Sequence, residues 1–418
     1  MSKIDAHQKH VIASLDIGTT KVACVIATAS PDGVEIAGVG TAPNHGVRQG
    51  VVVNIEATAE AIIKAKEEAE LMSGLTVTSV WLGIVGSHIQ SFDSSGMVAI
   101  RNEEVAEDDI KRVIEAAKAV AIPADRQVLH VIPSDFKIDG QDGISDPIGM
   151  SGVRLESSVH IITGGHAAIQ NAVKCTEKAG LRISGLVVQQ LASAMAVLSE
   201  DEKSLGVAVV DMGGGTCDLM IYGQGSVVYT DVIPIGGNNF THDVAMGLRT
   251  TQVDAESLKR KFGCALPDMV NEEETIEVEG VGGRQSRTLA RRNLCHVLEA
   301  RTEETLELIR ERIRKSGFYG RLGSGVVLTG GASQLAGLVE MGDFIFDVPV
   351  RLGVPTKIKG LTDVVKSSAY ATAVGLLLFG YKEEKNKIKV PVAEPNSGFS
   401  SRLNDFAQKV KGIFAKSL

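Results

Sequence analysis

Aromatic residues make up only 4% of the sequence, with a single Trp. No run of about 18 apolar residues occurs, so no segment has the length to cross a bilayer as a helix. The five cysteines (Cys24, Cys175, Cys217, Cys264 and Cys295) are scattered, odd in number and free of any CxxC pair. That spacing argues against a disulfide framework or a cysteine-held metal, and it fits a reducing cytoplasm. The opening MSKIDAHQKH lacks the apolar stretch of a secretion signal. A formal net charge of -8 makes nucleic acid an unexpected partner. What remains, 418 residues with 44% apolar and 22% charged, reads as a soluble globular protein. Its length suggests roughly two to four domains.

One local pattern occurs twice. Residues 11–16 and 21–28 read as strands joined by a tight turn, and Pro31-Asp32-Gly33 leads into a third strand, 34–40. From Val207 the same order returns: an apolar run, an Asp, glycines, a Thr, a strand, a Gly223-Gln224-Gly225 turn and another strand. A duplicated α/β domain is the simplest account. Between and after these units, helices are expected over 55–72, 107–120, 166–178, 251–263 and 288–315. Strands are expected over 77–85, 127–137, 154–163, 183–189 and 326–329, and a loop over 139–152. Two helices rich in small residues are expected to begin near 191 and 367, and 382–397 has a linker's composition.

The repeated turns are Asp16-Ile17-Gly18-Thr19-Thr20-Lys21 and Asp211-Met212-Gly213-Gly214-Gly215-Thr216. Backbone N–H groups of glycine-rich turns converge on phosphate oxygens without a side chain in the way. A Thr hydroxyl adds a donor, Lys21 a point charge, and each Asp a seat for Mg²⁺ or its waters. A single such turn is equally well a ligand-free hairpin. Two on matched units could grip one nucleotide from opposite sides. A third stretch, Leu328-Thr329-Gly330-Gly331-Ala332-Ser333, ends a strand where backbone could approach a ring or an α-phosphate.

DIGTTK, DMGGGTCD and LTGGAS, in that order, resemble the actin/Hsp70/sugar-kinase ATPase superfamily. Within it, stretches 38–55 and 139–156 and the terminal segment are most similar to the FtsA family of bacterial cell-division proteins. The resemblance implies an α/β, actin-like two-lobed ATPase fold with duplicated α/β domains, an inserted subdomain 1C and a C-terminal amphipathic helix. Subdomain 1A would be 1–83, 165–196 and 362–385, and 1C would be 84–164. Subdomain 2A would be 197–226 and 309–361, and 2B would be 227–308, followed by a linker over 386–397 and the helix over 398–418.

The resemblance further implies ATP and Mg²⁺ between the lobes. ATP would be held by Asp16, Gly18, Thr19, Thr20, Lys21, Asp211, Gly213, Gly214, Gly215, Thr216, Gly237, Glu256, Lys259, Gly330, Gly331 and Ala332. Mg²⁺ would be held through water by Asp16 and Asp211. Glu256 and Lys259 would face ribose and adenine, although their i, i+3 spacing equally suits an ordinary surface salt bridge. Gln190, or Gln189 if the helix starts a residue earlier, would orient water. An amide cannot accept the proton, so any ATPase activity is expected to be slow. Expected partners are the tail of FtsZ, further copies of the chain in a head-to-tail polymer, and later division proteins. The FtsZ tail would dock near Arg291, Arg292 and Arg301, which otherwise read as a solvated helix face.

The last segment gathers three of the eleven Phe. Phe399, Leu403, Phe406, Val410, Ile413, Phe414 and Leu418 fall on one helical stripe, with Arg402, Lys409, Lys411 and Lys416 beside it. This helix could dock on the protein's own core. The polar linker and basic flanks favour a flat position on an anionic membrane surface, at the cytoplasmic face of the cell membrane. Two other readings share the fold: a pilus-assembly protein, opposed by 139–156 and the terminal helix, and a metabolite kinase, for which no candidate base is evident.

Overall fold

The structure, a computed structural model, describes residues 10–31 and 33–389. The described residues up to Gly380 form one compact unit. A second unit begins at Tyr381, and its described part is the end of the helix Ala371–Lys389.

The repeat seen in the sequence is a repeat in space. In the first sheet, strands His10–Ile17, Lys21–Ser30 and Gly33–Pro43 run antiparallel in succession. Ser79–Ile84 and then Arg182–Val188 extend the sheet in parallel on the other side of the first strand. In the second sheet Val207–Met212, Cys217–Gly223 and Ser226–Ile233 take the antiparallel places. Val326–Thr329 and Val350–Leu352 take the parallel ones. The order across both sheets is therefore third, second, first, fourth, fifth, and the first sheet gains a short outer strand, Lys359–Gly360. The central strands are nearly all apolar and buried, as strands covered on both faces must be.

The fifth strand of the first sheet runs into the helix Gln189–Val197, and the chain beyond the fifth strand of the second sheet reaches the helix Ala371–Lys389; both carry small residues where they cross. Their smallness lets backbone meet backbone. A Cβ placed on Gly375 would lie 1.8 Å from the Ala192 carbonyl oxygen, so only glycine fits that crossing.

Between Ile84 and His166 the first lobe carries an insertion. Its four strands, in the order Gln90–Ala99, Arg154–Gly165, Arg126–Ile138, Gln141–Ile144, are all antiparallel, and the helix Glu107–Lys118 covers one face. The second lobe carries helices Gly237–Leu248 and Gln252–Phe262, the hairpin Thr275–Val278/Arg287–Ala290, and the long helix Arg291–Lys315 around a small core of their own.

Three expectations need correction. The stretch 139–152 is not all loop: Gln141–Ile144 folds back as the edge strand of the insertion. The helix expected from 288 begins at Arg291, because 287–290 pair with Thr275–Val278. The expected linker does not begin at 386: the helix runs to Lys389. Residues 382–389 are Lys, Glu, Asn and Ile without a helix breaker, and the first proline beyond Gly380 is Pro391. The membrane-binding stripe, Phe399 to Lys416, lies outside the described residues. Among the described residues no helix is long and apolar enough to cross a membrane.

Candidate functional site

The two turns are built alike and face each other. In the first, Ile17 pairs with Val22 and Gly18 N–H donates to the Lys21 carbonyl at 2.9 Å. In the second, Met212 pairs with Cys217 and Gly213 N–H donates to the Thr216 carbonyl at 2.9 Å. A Cβ on Gly214 would stand 2.5 Å from Thr20 Cγ2, and one on Gly215 would stand 2.7 Å from Thr19 Oγ1. No larger residue fits where the two lobes meet. Thr19 Oγ1 also accepts from Gly50 N–H at 3.1 Å, and Gln49 Nε2 reaches the Pro234 carbonyl of the other lobe at 3.3 Å.

Asp16 and Asp211, one before each turn, are both buried. Asp16 Oδ1 accepts from Gln189 Nε2 at 2.8 Å. Asp211 Oδ2 accepts from Ser193 Oγ and, at 2.8 Å, from Thr372 Oγ1, one hydroxyl from each of the two crossing helices. Burial pushes the Asp16 carboxyl up to about 7; Lys21 opposes the rise and Asp211 adds to it. Burial raises Asp211 too, against its two hydrogen bonds and Lys21. Lys21 is itself lowered by burial, with both carboxylates opposing. Its Nζ donates to the Ala369 carbonyl at 2.6 Å and lies 4.1 Å from the centre of the Tyr370 ring.

A third carboxyl, Asp218, belongs to this group. It sits opposite Asp211 in the hairpin ladder, accepts from Thr216 Oγ1 at 2.9 Å through Oδ2, and has no partner for its buried Oδ1. Burial, and then Asp211, hold it well above the usual carboxylate range. Three buried carboxyls against one lysine leave the site short of positive charge, the condition a bound cation relieves. No cluster of three or more His, Cys, Asp or Glu able to hold a metal directly occurs among the described residues.

The third stretch closes on the second turn. Gly330 takes φ 87°, and a Cβ there would lie 2.3 Å from Asp211 Oδ1. Gly331–Gln334 follows as a short 3₁₀ turn rather than a full helix. Ala332 and Lys259 flank Gly237, 3.4 Å and 3.6 Å from where its Cβ would be. Lys259 Nζ donates to the Gly237 carbonyl at 3.0 Å and pairs with Glu256 at 2.6 Å. The Glu256–Lys259 pair is thus a salt bridge, and it stands beside the second turn.

One expectation differs from what the geometry places. The helix starts at Gln189, so Gln189, not Gln190, meets Asp16. The Gln190 amide is buried with neither polar atom partnered. The three arginines are not free cations. Arg291 pairs with Glu274, Arg292 with Asp268 and Glu272, and Arg301 with Asp243 and Glu304. Asp218, Ser193 and Thr372 were missed. Asp218 was legible, as the closing residue of DMGGGTCD; the two hydroxyls reach Asp211 only through the tertiary fold.

Two lobes of one repeated plan, with aspartate-bearing glycine turns meeting between them, define an actin-like protein. Solved structures share the fold: a chain of the PilM-PilN type IV pilus biogenesis complex has a TM-score of 0.62 at 15% identity, covering 88% of this chain and 98% of that one. MreB5 of Spiroplasma citri, bound to ADP, has a TM-score of 0.54 at 15% identity, covering 91% and 99%. Residues 208–375 match the family model "Cell division protein FtsA", and 86–163 match "SHS2 domain inserted in FTSA". Cell division protein FtsA of Pseudomonas aeruginosa is 46% identical over 406 residues, covering 95% of this chain and 97% of that protein. That of Escherichia coli is 40% identical over 417 residues, covering 97% and 99%. This chain belongs to the FtsA family of cell-division proteins.

Proposed function

We propose that this protein binds Mg·ATP between its lobes, self-associates, and tethers FtsZ filaments to the cytoplasmic membrane at the division site, where later division proteins join. The observation that carries the nucleotide reading is the pair of congruent turns in contact, each opened by a buried aspartate. A related fold, MreB5, is described with ADP bound. The backbone of 18–20 and 213–216 would cradle phosphates. Asp16 and Asp211, with Asp218 behind, would hold the hydrated cation, and Gly237, Glu256, Lys259, Gly330, Gly331 and Ala332 would border the nucleoside. Bound Mg²⁺ would supply positive charge to the phosphates. Gln189, which meets Asp16, would orient water, and its amide has no basic atom to take a proton, so turnover would be slow.

The division into 1A, 1C, 2A and 2B with the bounds given above belongs to this proposal. So do docking of the FtsZ tail on 227–308 and the terminal helix as membrane anchor. Support for them comes from family membership and from the stripe in the sequence. Because each arginine already holds an acid, an acidic peptide there would exchange one carboxylate for another. Affinity would then rest on apolar contacts rather than net charge.

Titration calorimetry with Mg·ATP tests the central claim. The parent should bind one equivalent and Gly214→Val should not. Equal binding by both would place the nucleotide elsewhere.

A further inference from the structure

The helix Gln189–Val197 carries two of the contacts that shape the site, Gln189 to Asp16 and, one turn later, Ser193 to Asp211. Its start is therefore a point of control. The residue before it, Val188, has no side chain able to cap the helix. Its backbone N–H donates instead to His130 Nε2 at 3.0 Å. His130 comes from the insertion, on the strand Arg126–Ile138, which pairs with Arg154–Gly165. Phe379 packs edge-on against the His130 ring at 5.7 Å between centres, and against Trp81 at the same distance. The histidine is thus held by its own sheet on one side and by the helix Ala371–Lys389 on another.

We infer that His130 is a positioning residue for the nucleotide site: by accepting the Val188 N–H it fixes the first turn of the Gln189–Val197 helix, and with it the Gln189 amide against Asp16. The inserted domain then sets the geometry of a site to which it contributes no ligand-binding residue. The bond needs an unprotonated Nε2, with the ring proton on Nδ1. Burial lowers the His130 pKa to about 4, so the acceptor persists throughout the neutral range. Anything that docks on the insertion and shifts this strand would act on Gln189 through one hydrogen bond.

The inference rests on the nucleotide reading above, and its test separates the two. Three variants are compared with the parent. His130→Phe removes the acceptor, His130→Gln restores one at similar reach, and His130→Asn keeps the polarity but falls short. The first measurement uses the protein without ligand: amide hydrogen exchange at Val188 and the first turn of the helix. Exchange should quicken in the Phe and Asn variants and stay parental in the Gln variant. The second is Mg·ATP affinity, expected to fall roughly three- to tenfold in the Phe and Asn variants, the range of one neutral hydrogen bond, and to recover in the Gln variant. In a Gln189→Ala background, His130→Phe should add no further loss. Should Phe fail to fold, Asn against Gln decides the same point. Parental exchange and affinity in the Phe and Asn variants would overturn the inference. A fall in affinity that persists unchanged in the Gln189→Ala background would also overturn it. If the parent binds no Mg·ATP, the nucleotide reading fails, and the exchange arm alone decides whether His130 positions the helix.

Discussion

Replacing Asp16 by Asn should make the ligand-free protein more stable at neutral pH, and the gain should appear only as pH rises. Burial raises this carboxyl from 3.8 to about 7. Between those values the folded protein keeps a proton that the unfolded chain has released, so stability falls with rising pH and levels off above about 7. Raising a carboxyl's pKa by one costs its ionised form about 1.4 kcal/mol, so the parent loses about 4 kcal/mol across the window. Asn has no proton to lose, and its Oδ1 can still accept from Gln189 Nε2. The two proteins should therefore melt together near pH 4. They should separate progressively, with the variant about 5 °C higher at pH 7.5 for a chain of this length unfolding as one unit. Asp211 and Asp218 titrate in both proteins, so the quantity to follow by differential scanning fluorimetry is the difference between variant and parent, not either slope alone. A difference that stays constant from pH 4 to 7.5 would show that Asp16 is not held protonated by burial, and the account of the site as short of positive charge would fall with it.

Four further outcomes are expected. Gly214→Val, whose side chain must occupy the space of Thr20, should abolish Mg·ATP binding in calorimetry while circular dichroism stays parental; parental affinity would refute the assignment of the turns. Hydrolysis by the parent should run well below ~1 s⁻¹, and Gln189→Glu, which supplies a base, should raise it in a phosphate-release assay, whereas Gln190→Glu should instead destabilise by burying an unpaired charge. Replacing Arg291, Arg292 and Arg301 together by Ala should weaken FtsZ-tail binding less than about tenfold in fluorescence anisotropy, since partly exposed pairs contribute about 0–1 kcal/mol each; complete loss would mean that they bind the peptide directly. Changing both Phe406 and Phe414 to Glu should end co-sedimentation with anionic liposomes and leave Mg·ATP affinity intact, and unfolding of the globular body in that variant would mean that the helix belongs to the core.

The duplicated turns could be read in the sequence because their chemistry is local. An Asp, one or three Gly and a Thr between apolar runs need no tertiary information, and the second copy reinforced the first. The helices His166–Lys178 and Gln252–Phe262 were legible for the same reason, through apolar periodicity and flanking residues. The strand Gln90–Ala99 was not. Its sequence QSFDSSGMVA has few β-branched or aromatic residues, and it is a strand because Arg154–Gly165 pairs with it along ten successive positions. Gln189 and Gln190 illustrate a finer limit. One residue of helix phase decides which amide meets Asp16, and the phase is set by where the strand Arg182–Val188 ends. The arginines looked available because sequence shows charge and not its partners: of the five acids only Glu304 lies on their own helix, and the other four come from elsewhere in the second lobe.

The arrangement of charge also bears on what a bound nucleotide would do. The side chain that meets Asp16 is an amide, Gln189. What the site does hold is three carboxyls that burial drives toward protonation, gathered where two lobes and both crossing helices meet. In the ligand-free state their ionisation destabilises this arrangement. A ligand at a hundredfold excess over its dissociation constant stabilises the folded state by about 2.7 kcal/mol, comparable with the roughly 4 kcal/mol assigned to Asp16 alone. Mg·ATP would then act mainly as the piece that completes the junction. Its cation answers the buried carboxyls and its phosphates answer the backbone donors of both turns. On this argument Asp16→Asn should be as stable without ligand as the parent is with it, and added Mg·ATP should raise the melting temperature of the parent far more than that of the variant.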